Sequence, residues 1–138
     1  SYLINERFLL TGDTLFTDGV GRPDLKADQE QGHRKAEQLF DSISRILVLS
    51  DEDLLILPAH TSHAIAFDGK IIGDKLSNLS VKVELLQMEK NVFVEQTMMR
   101  IPATPPNYLQ IASLNKAGSY EGIDPADLEA GANRCAIS

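Results

Sequence analysis

From Gly32 to Leu47 the apolar side chains fall at Ala36, Leu39, Phe40, Ile43, Ile46 and Leu47. Gaps of three and four residues gather them into one stripe of an α-helix, with Arg34, Lys35, Glu37, Asp41 and Arg45 mostly on the wet side. Such a stripe needs a surface to bury itself against, and the flanking segments supply one. Leu54-Leu55-Ile56-Leu57 is a continuous apolar run closed by Pro58, which reads as a buried strand. Tyr2 to Ile4 and Phe8 to Leu10 are two short apolar runs around Asn5-Glu6-Arg7, the pattern of a β-hairpin. Between hairpin and helix, Thr17 to Gln31 is a loop rich in Gly and Asp.

Farther along the signals weaken. Leu76 to Met88 reads as extended or partly helical, and Lys90 to Arg100 places Val92, Phe93, Met98 and Met99 at helical spacing. Pro105-Pro106 opens another helix that Gly118 ends after Lys116. Asp124-Pro125 starts a short last helix ending near Gly131. The order β-β-loop-α-β-loop-α-α implies an α/β or α+β fold with a mixed sheet and helices on one face. At 138 residues the chain has the length of one ordinary domain.

Composition narrows the classes of function. With 43% hydrophobic and 24% charged residues, the chain is globular rather than disordered. A net charge of -7 argues against nucleic acid, whose phosphates select clustered Lys and Arg. No apolar run approaches the roughly 20 residues that span a bilayer, so no membrane segment is expected. The lone Cys135 cannot form an internal disulfide, which makes the reducing cytoplasm the expected compartment. The chain already reads as a strand at Ser1-Tyr2-Leu3-Ile4, where a polar lead is usual, so residues 1–138 are expected to be a single segment of a longer protein.

Two polar residues stand at the ends of apolar strands. Asp13 follows Phe8-Leu9-Leu10-Thr11-Gly12, and His60 follows Ile56-Leu57-Pro58-Ala59. A carboxylate and an imidazole at strand ends can hold a metal on a rigid sheet. Spacing alone leaves the other reading open, in which Asp13 caps a turn and His60 is a satisfied buried histidine.

Three ordered motifs add to this: Leu10-Thr11-Gly12-Asp13-Thr14-Leu15-Phe16, Gly21-Arg22-Pro23-Asp24-Leu25, and Leu57-Pro58-Ala59-His60-Thr61. Together they resemble the second half of the metallo-β-lactamase superfamily, whose fold is an αββα sandwich. The resemblance implies that Asp13 is a metal ligand and that His60 is a ligand to a second metal or a neighbour of the first shell. Within the superfamily the chain is most similar to persulfide (sulfur) dioxygenases, through Gly21-Arg22-Pro23-Asp24 and the closing Asn133-Arg134-Cys135. That similarity implies ferrous iron held by two histidines and an aspartate, with open positions for a thiol persulfide and oxygen. It also implies that Arg22 and Arg134 meet carboxylates of a thiol such as glutathione, that Asp24 orients Arg22 or binds a substrate amine, and that Cys135 lies near the pocket. Blander roles stay open, with Arg22–Asp24 a loop salt bridge and Cys135 a small buried residue.

Departures from the family pattern shape the alternatives. Ser62 stands where related enzymes carry a tyrosine that meets the thiol, and His63 after it reads as structural. The H-x-H-x-D-H motif of the first half is absent, leaving Asp13 and His60 as the only expected ligands. By itself the chain is therefore expected to be inactive. The runner-up is a zinc hydrolase of the same fold, similar to glyoxalase II thioesterases; another is a non-catalytic assembly domain. The chain is expected to pair through its sheet with the missing half or with a second copy as a homodimer.

Overall fold

The computed structural model describes residues 1–25, 27–49, 54–61, 65–66, 68–104, 107–119, 121–124, 127–128 and 136–137. They fall into two compact units, Ser1–Ile101 with Cys135–Ser138, and Pro102–Arg134.

The first unit opens with the expected hairpin. β1 (Tyr2–Ile4) and β2 (Phe8–Gly12) pair antiparallel, and Arg7 N–H donates to Ile4 O at 3.1 Å across the turn. Asn5 and Glu6 both sit at positive φ, 50° and 55°, which matches the twist of a short hairpin. The long loop that follows is not wholly irregular, because it contains β3 (Val20–Gly21). Next comes α1 (Gln29–Leu47), which starts ahead of Gly32. Asp28 explains the early start, since its Oδ1 accepts the Gln31 backbone N–H at 2.8 Å, a cap worth about 1 kcal/mol. Gly32 survives inside the helix because the Met98 methyl packs where a side chain would stand.

β4 (Leu55–Pro58), β5 (Asp74–Lys75) and α2 (Leu76–Lys82) come next. A 3₁₀ turn over Glu84–Gln87, α3 (Lys90–Met99) and, after the second unit, β6 (Ala136–Ile137) complete the first unit. The stretch read as extended or partly helical is thus helical in two pieces, broken at Val83, whose backbone is extended. The main sheet runs β1-β2-β4-β5. β2 and β4 are parallel while the outer pairs are antiparallel, so the sheet is mixed. α1 is the crossover that a parallel pair requires. β3 and β6 form a second, two-stranded sheet, with Val20 opposite Ile137.

The two faces of the main sheet differ. Leu9 and Ile56 lie opposite each other and are buried. They share a core with Ala36, Ile43 and Ile46 of α1, Leu79 of α2, and Phe93 and Val94 of α3. Phe93 meets Phe40 edge-on with ring centroids 5.3 Å apart, and Lys90 bonds Asp41 at 2.7 Å beside them. The other face carries Tyr2, Leu10 and Leu57 in one row and Ile4, Phe8 and Leu55 in the next. Here Tyr2 is 77% exposed, Ile4 44% and Leu10 37%.

The second unit holds α4 (Tyr108–Ala117), ended as expected by Gly118 at φ 68°. Asn107 Nδ2 donates to Leu128 O at 3.1 Å. Pro105 and Pro106 lie outside the described residues, as does most of the expected last helix, though Asp127 and Leu128 are helical. Among the described residues no helix is long and apolar enough to cross a membrane.

Candidate metal centre

Because β2 and β4 run parallel, their C-terminal ends open at the same edge of the sheet. Ligands of open α/β sheets gather at that edge, where the loops leave. Asp13 directly follows β2, and His60 comes two residues after β4. Their side chains meet, with His60 Nδ1 and Asp13 Oδ1 2.7 Å apart and both groups half exposed. The strand ends are tied together by Ala59 N–H, which donates to Gly12 O at 3.2 Å. The pairing register shifts between Leu10, opposite Leu57, and Gly12, opposite Pro58. Gly12 lies at φ 57°, a conformation that the lack of a Cβ makes cheap, and it turns the chain out of the strand.

The loop after Asp13 folds back beneath it. Thr11, buried, donates its hydroxyl to Leu15 O at 2.6 Å. Leu15 bridges Val20, Phe16 N–H donates to Gly19 O at 2.9 Å, and Gly21 N–H donates to Thr14 O at 3.1 Å. Leu15, Phe16 and Val20 are fully buried, so this small hairpin is anchored in the core. It presses Gly21 so close to Asp13 that a Cβ there would overlap the Asp13 carbonyl oxygen. Gly21→Ala should therefore destabilise the protein by about 1–3 kcal/mol, read as a lower urea midpoint. An unchanged midpoint would contradict this close approach. The sequence motifs that contain Gly21 and Thr11 assign neither a role. The inward alternation from Leu9 to Thr11 was the available signal for the threonine.

Arg22 and Asp24 are brought together as a fork. Arg22 Nε donates to Asp24 Oδ1 at 2.9 Å and Nη2 to Oδ2 at 2.7 Å. The Arg22 side chain is only 3% exposed and that of Asp24 23%. The hydrogen bond from Arg22 holds the Asp24 carboxyl below its ordinary range, against the opposing effect of burial. Arg134 and Cys135 lie outside the described residues, as do Ser62 and His63. Among the described residues no His, Cys, Asp or Glu makes a group of three with metal-binding geometry. Two donors 2.7 Å apart can face one ion at bonds of about 2.0–2.2 Å, or one can orient the other. The pair therefore fits part of a ligand set. An apolar cavity of about 360 Å³ adjoins it, lined by Tyr2, Leu10, Gly12, Leu57, Pro58 and Ala59 among others.

No protein-family model matches the chain, and no curated protein does. Solved structures do. A metallo-β-lactamase from Staphylococcus aureus subsp. aureus COL superposes with a TM-score of 0.65 and 22% identity, covering 83% of this chain and 33% of that one. ETHE1 from Myxococcus xanthus superposes with a TM-score of 0.58 and 22% identity, covering 83% of this chain and 46% of that one. The chain thus spans less than half the length of either protein. It has the mixed α/β architecture of part of the metallo-β-lactamase fold.

Proposed function

We propose that this chain supplies the Asp13–His60 side of a metal centre in a metallo-β-lactamase-fold enzyme that oxidises a low-molecular-weight thiol persulfide. The observation that carries the reading is the 2.7 Å contact between Asp13 and His60 at the shared edge of two parallel strands. Asp13 offers the negative charge and His60 an imidazole that, protonated at Nδ1, donates to that carboxylate and fixes its orientation. Ferrous iron is the metal proposed, with further ligands supplied outside this chain. When bound it would offer open positions for thiol and oxygen. Motifs similar to persulfide dioxygenases support this chemistry, namely Gly21-Arg22-Pro23-Asp24 and Asn133-Arg134-Cys135. Arg134 and Cys135 are proposed near the substrate, glutathione persulfide being the first candidate, in a cytoplasmic setting consistent with the single cysteine. The alternative is a zinc hydrolase of glyoxalase II type. Oxygen uptake with glutathione or coenzyme A persulfide, set against thioester hydrolysis, separates the two. Thioester turnover without oxygen uptake sinks the dioxygenase reading.

The open sheet face supports a partner. Tyr2, Ile4, Phe8, Leu10, Leu55 and Leu57 line it, and soluble monomers rarely expose apolar patches beyond a few hundred Å². Covering such a face stabilises by roughly 25 cal/mol per Å². The chain expressed alone is expected to sediment as a dimer or larger, its sheet covered by a second copy in place of the complementary half. A well-folded monomer at micromolar concentration contradicts this.

A further inference from the structure

Resting on the metal-centre reading above, we infer that the Arg22–Asp24 pair is a positioning device for Asp13 rather than a contact to substrate. Both parallel hydrogen bonds of the fork are already made within the chain. A substrate carboxylate arriving from solvent would have to reach a guanidinium whose side chain is 3% exposed and displace Asp24 from two hydrogen bonds.

What the fork controls is the path of the loop. Residues 17–25 include Gly19 and Gly21, whose backbones are the least restrained of any residue type. Gly21 is nevertheless held hard against the Asp13 carbonyl, with its N–H on Thr14 O. One residue later the bidentate pair fixes the chain, since two parallel hydrogen bonds set direction as well as distance. Beyond it, Pro23 is buried, Ala27 N–H donates to Asp24 O at 3.1 Å, and Lys35 Nζ of α1 donates to Leu25 O at 2.8 Å. A continuous set of bonds therefore runs from α1 through Leu25, Asp24 and Arg22 to Gly21, which backs the residue carrying the carboxylate. With the fork opened, Gly21 regains its freedom and Asp13 loses the wall behind it.

The test uses the complete protein with Co(II) as probe, comparing Asp24→Asn, which keeps the shape and removes the charge, with Asp24→Glu, which keeps the charge. Asp24→Asn is expected to speed hydrogen exchange at the Gly21 amide by about tenfold or more while Ile43 and Phe93 amides stay unchanged. It should also weaken Co(II) binding by about 10–100-fold, the usual cost of losing a partner that orients a ligand. Asp24→Glu should recover part of both effects. Arg22→Lys, which cannot form the fork, should fall between wild type and Asp24→Asn. The inference is overturned if Gly21 exchange is unchanged, if Ile43 and Phe93 accelerate equally, or if Co(II) affinity is unmoved. Failure of the metal-centre reading has its own signature: wild-type protein would bind Co(II) no more tightly than Asp13→Ala. That result removes the positioning role with it, even where Gly21 exchange responds.

Discussion

Asp13→Ala in the complete protein should abolish metal loading, while His60→Ala should lower affinity or activity by only about 10–100-fold. The asymmetry follows from geometry and charge. Asp13 brings a negative charge to the strand end, and an alanine there removes both the charge and the donor atom. His60 touches the carboxylate directly, 2.7 Å away, so its loss leaves the carboxylate in place but free to rotate. The side chains are half exposed, and water can replace an imidazole contact there more readily than it replaces the carboxylate proposed to hold the ion. Metal content of the purified variants, measured by atomic spectroscopy beside oxygen uptake, decides the point. Equal metal loss in both variants would make His60 a ligand in its own right and favour a two-metal hydrolase.

Phe93→Ala should cost about 3–5 kcal/mol, the range for removing a fully buried aromatic ring. Phe93 is completely closed to solvent and central to the cluster that α1, α2 and α3 share with the sheet. Its edge-on contact with Phe40 would be lost, and with it the packing beside the Lys90–Asp41 ion pair. Ile43 and Leu79 belong to the same core cluster, so closing the resulting void means shifting them. The measurement is the urea midpoint at unchanged slope. A loss below about 1 kcal/mol would mean that the helices collapse onto the gap, which such native cores rarely manage.

How far the sequence was legible depended on whether the signal was periodic. α1 was readable because Ala36, Ile43 and Ile46 repeat at helical spacing and are buried, with Leu39, Phe40 and Leu47 packed against them. The hairpin and β4 were readable as apolar runs with polar punctuation. β3 and β6 were not, since two-residue strands carry no period and their pairing joins Val20 to Ile137 across most of the chain. α1 starts ahead of Gly32 because Asp28 caps a first turn of Gln29, Glu30 and Gln31, which carries no apolar period. At the candidate centre, Asp13 and His60 were readable as strand-end residues, and their contact depends on the parallel pairing of β2 with β4. The burial of Arg22 was not readable, because nothing local distinguishes a charged loop residue turned inward from one facing solvent.

The register shift in β2 spends an extra residue on turning the chain. From Leu10 to Gly12, β2 advances two residues while β4 advances one, from Leu57 to Pro58. Deleting one residue there would restore the even ladder with the remaining residue still opposite Pro58, but it would remove either Thr11, whose hydroxyl holds Leu15 O, or Gly12, whose positive φ turns the chain toward Asp13. Insertions between α1 and β4 carry no such penalty, because the position of His60 is set by pairing with β2 and not by the number of residues leading to it. Changes in chain length should therefore accumulate before β4 and be excluded between Leu10 and Asp13, where both residues of the shift have a task of their own.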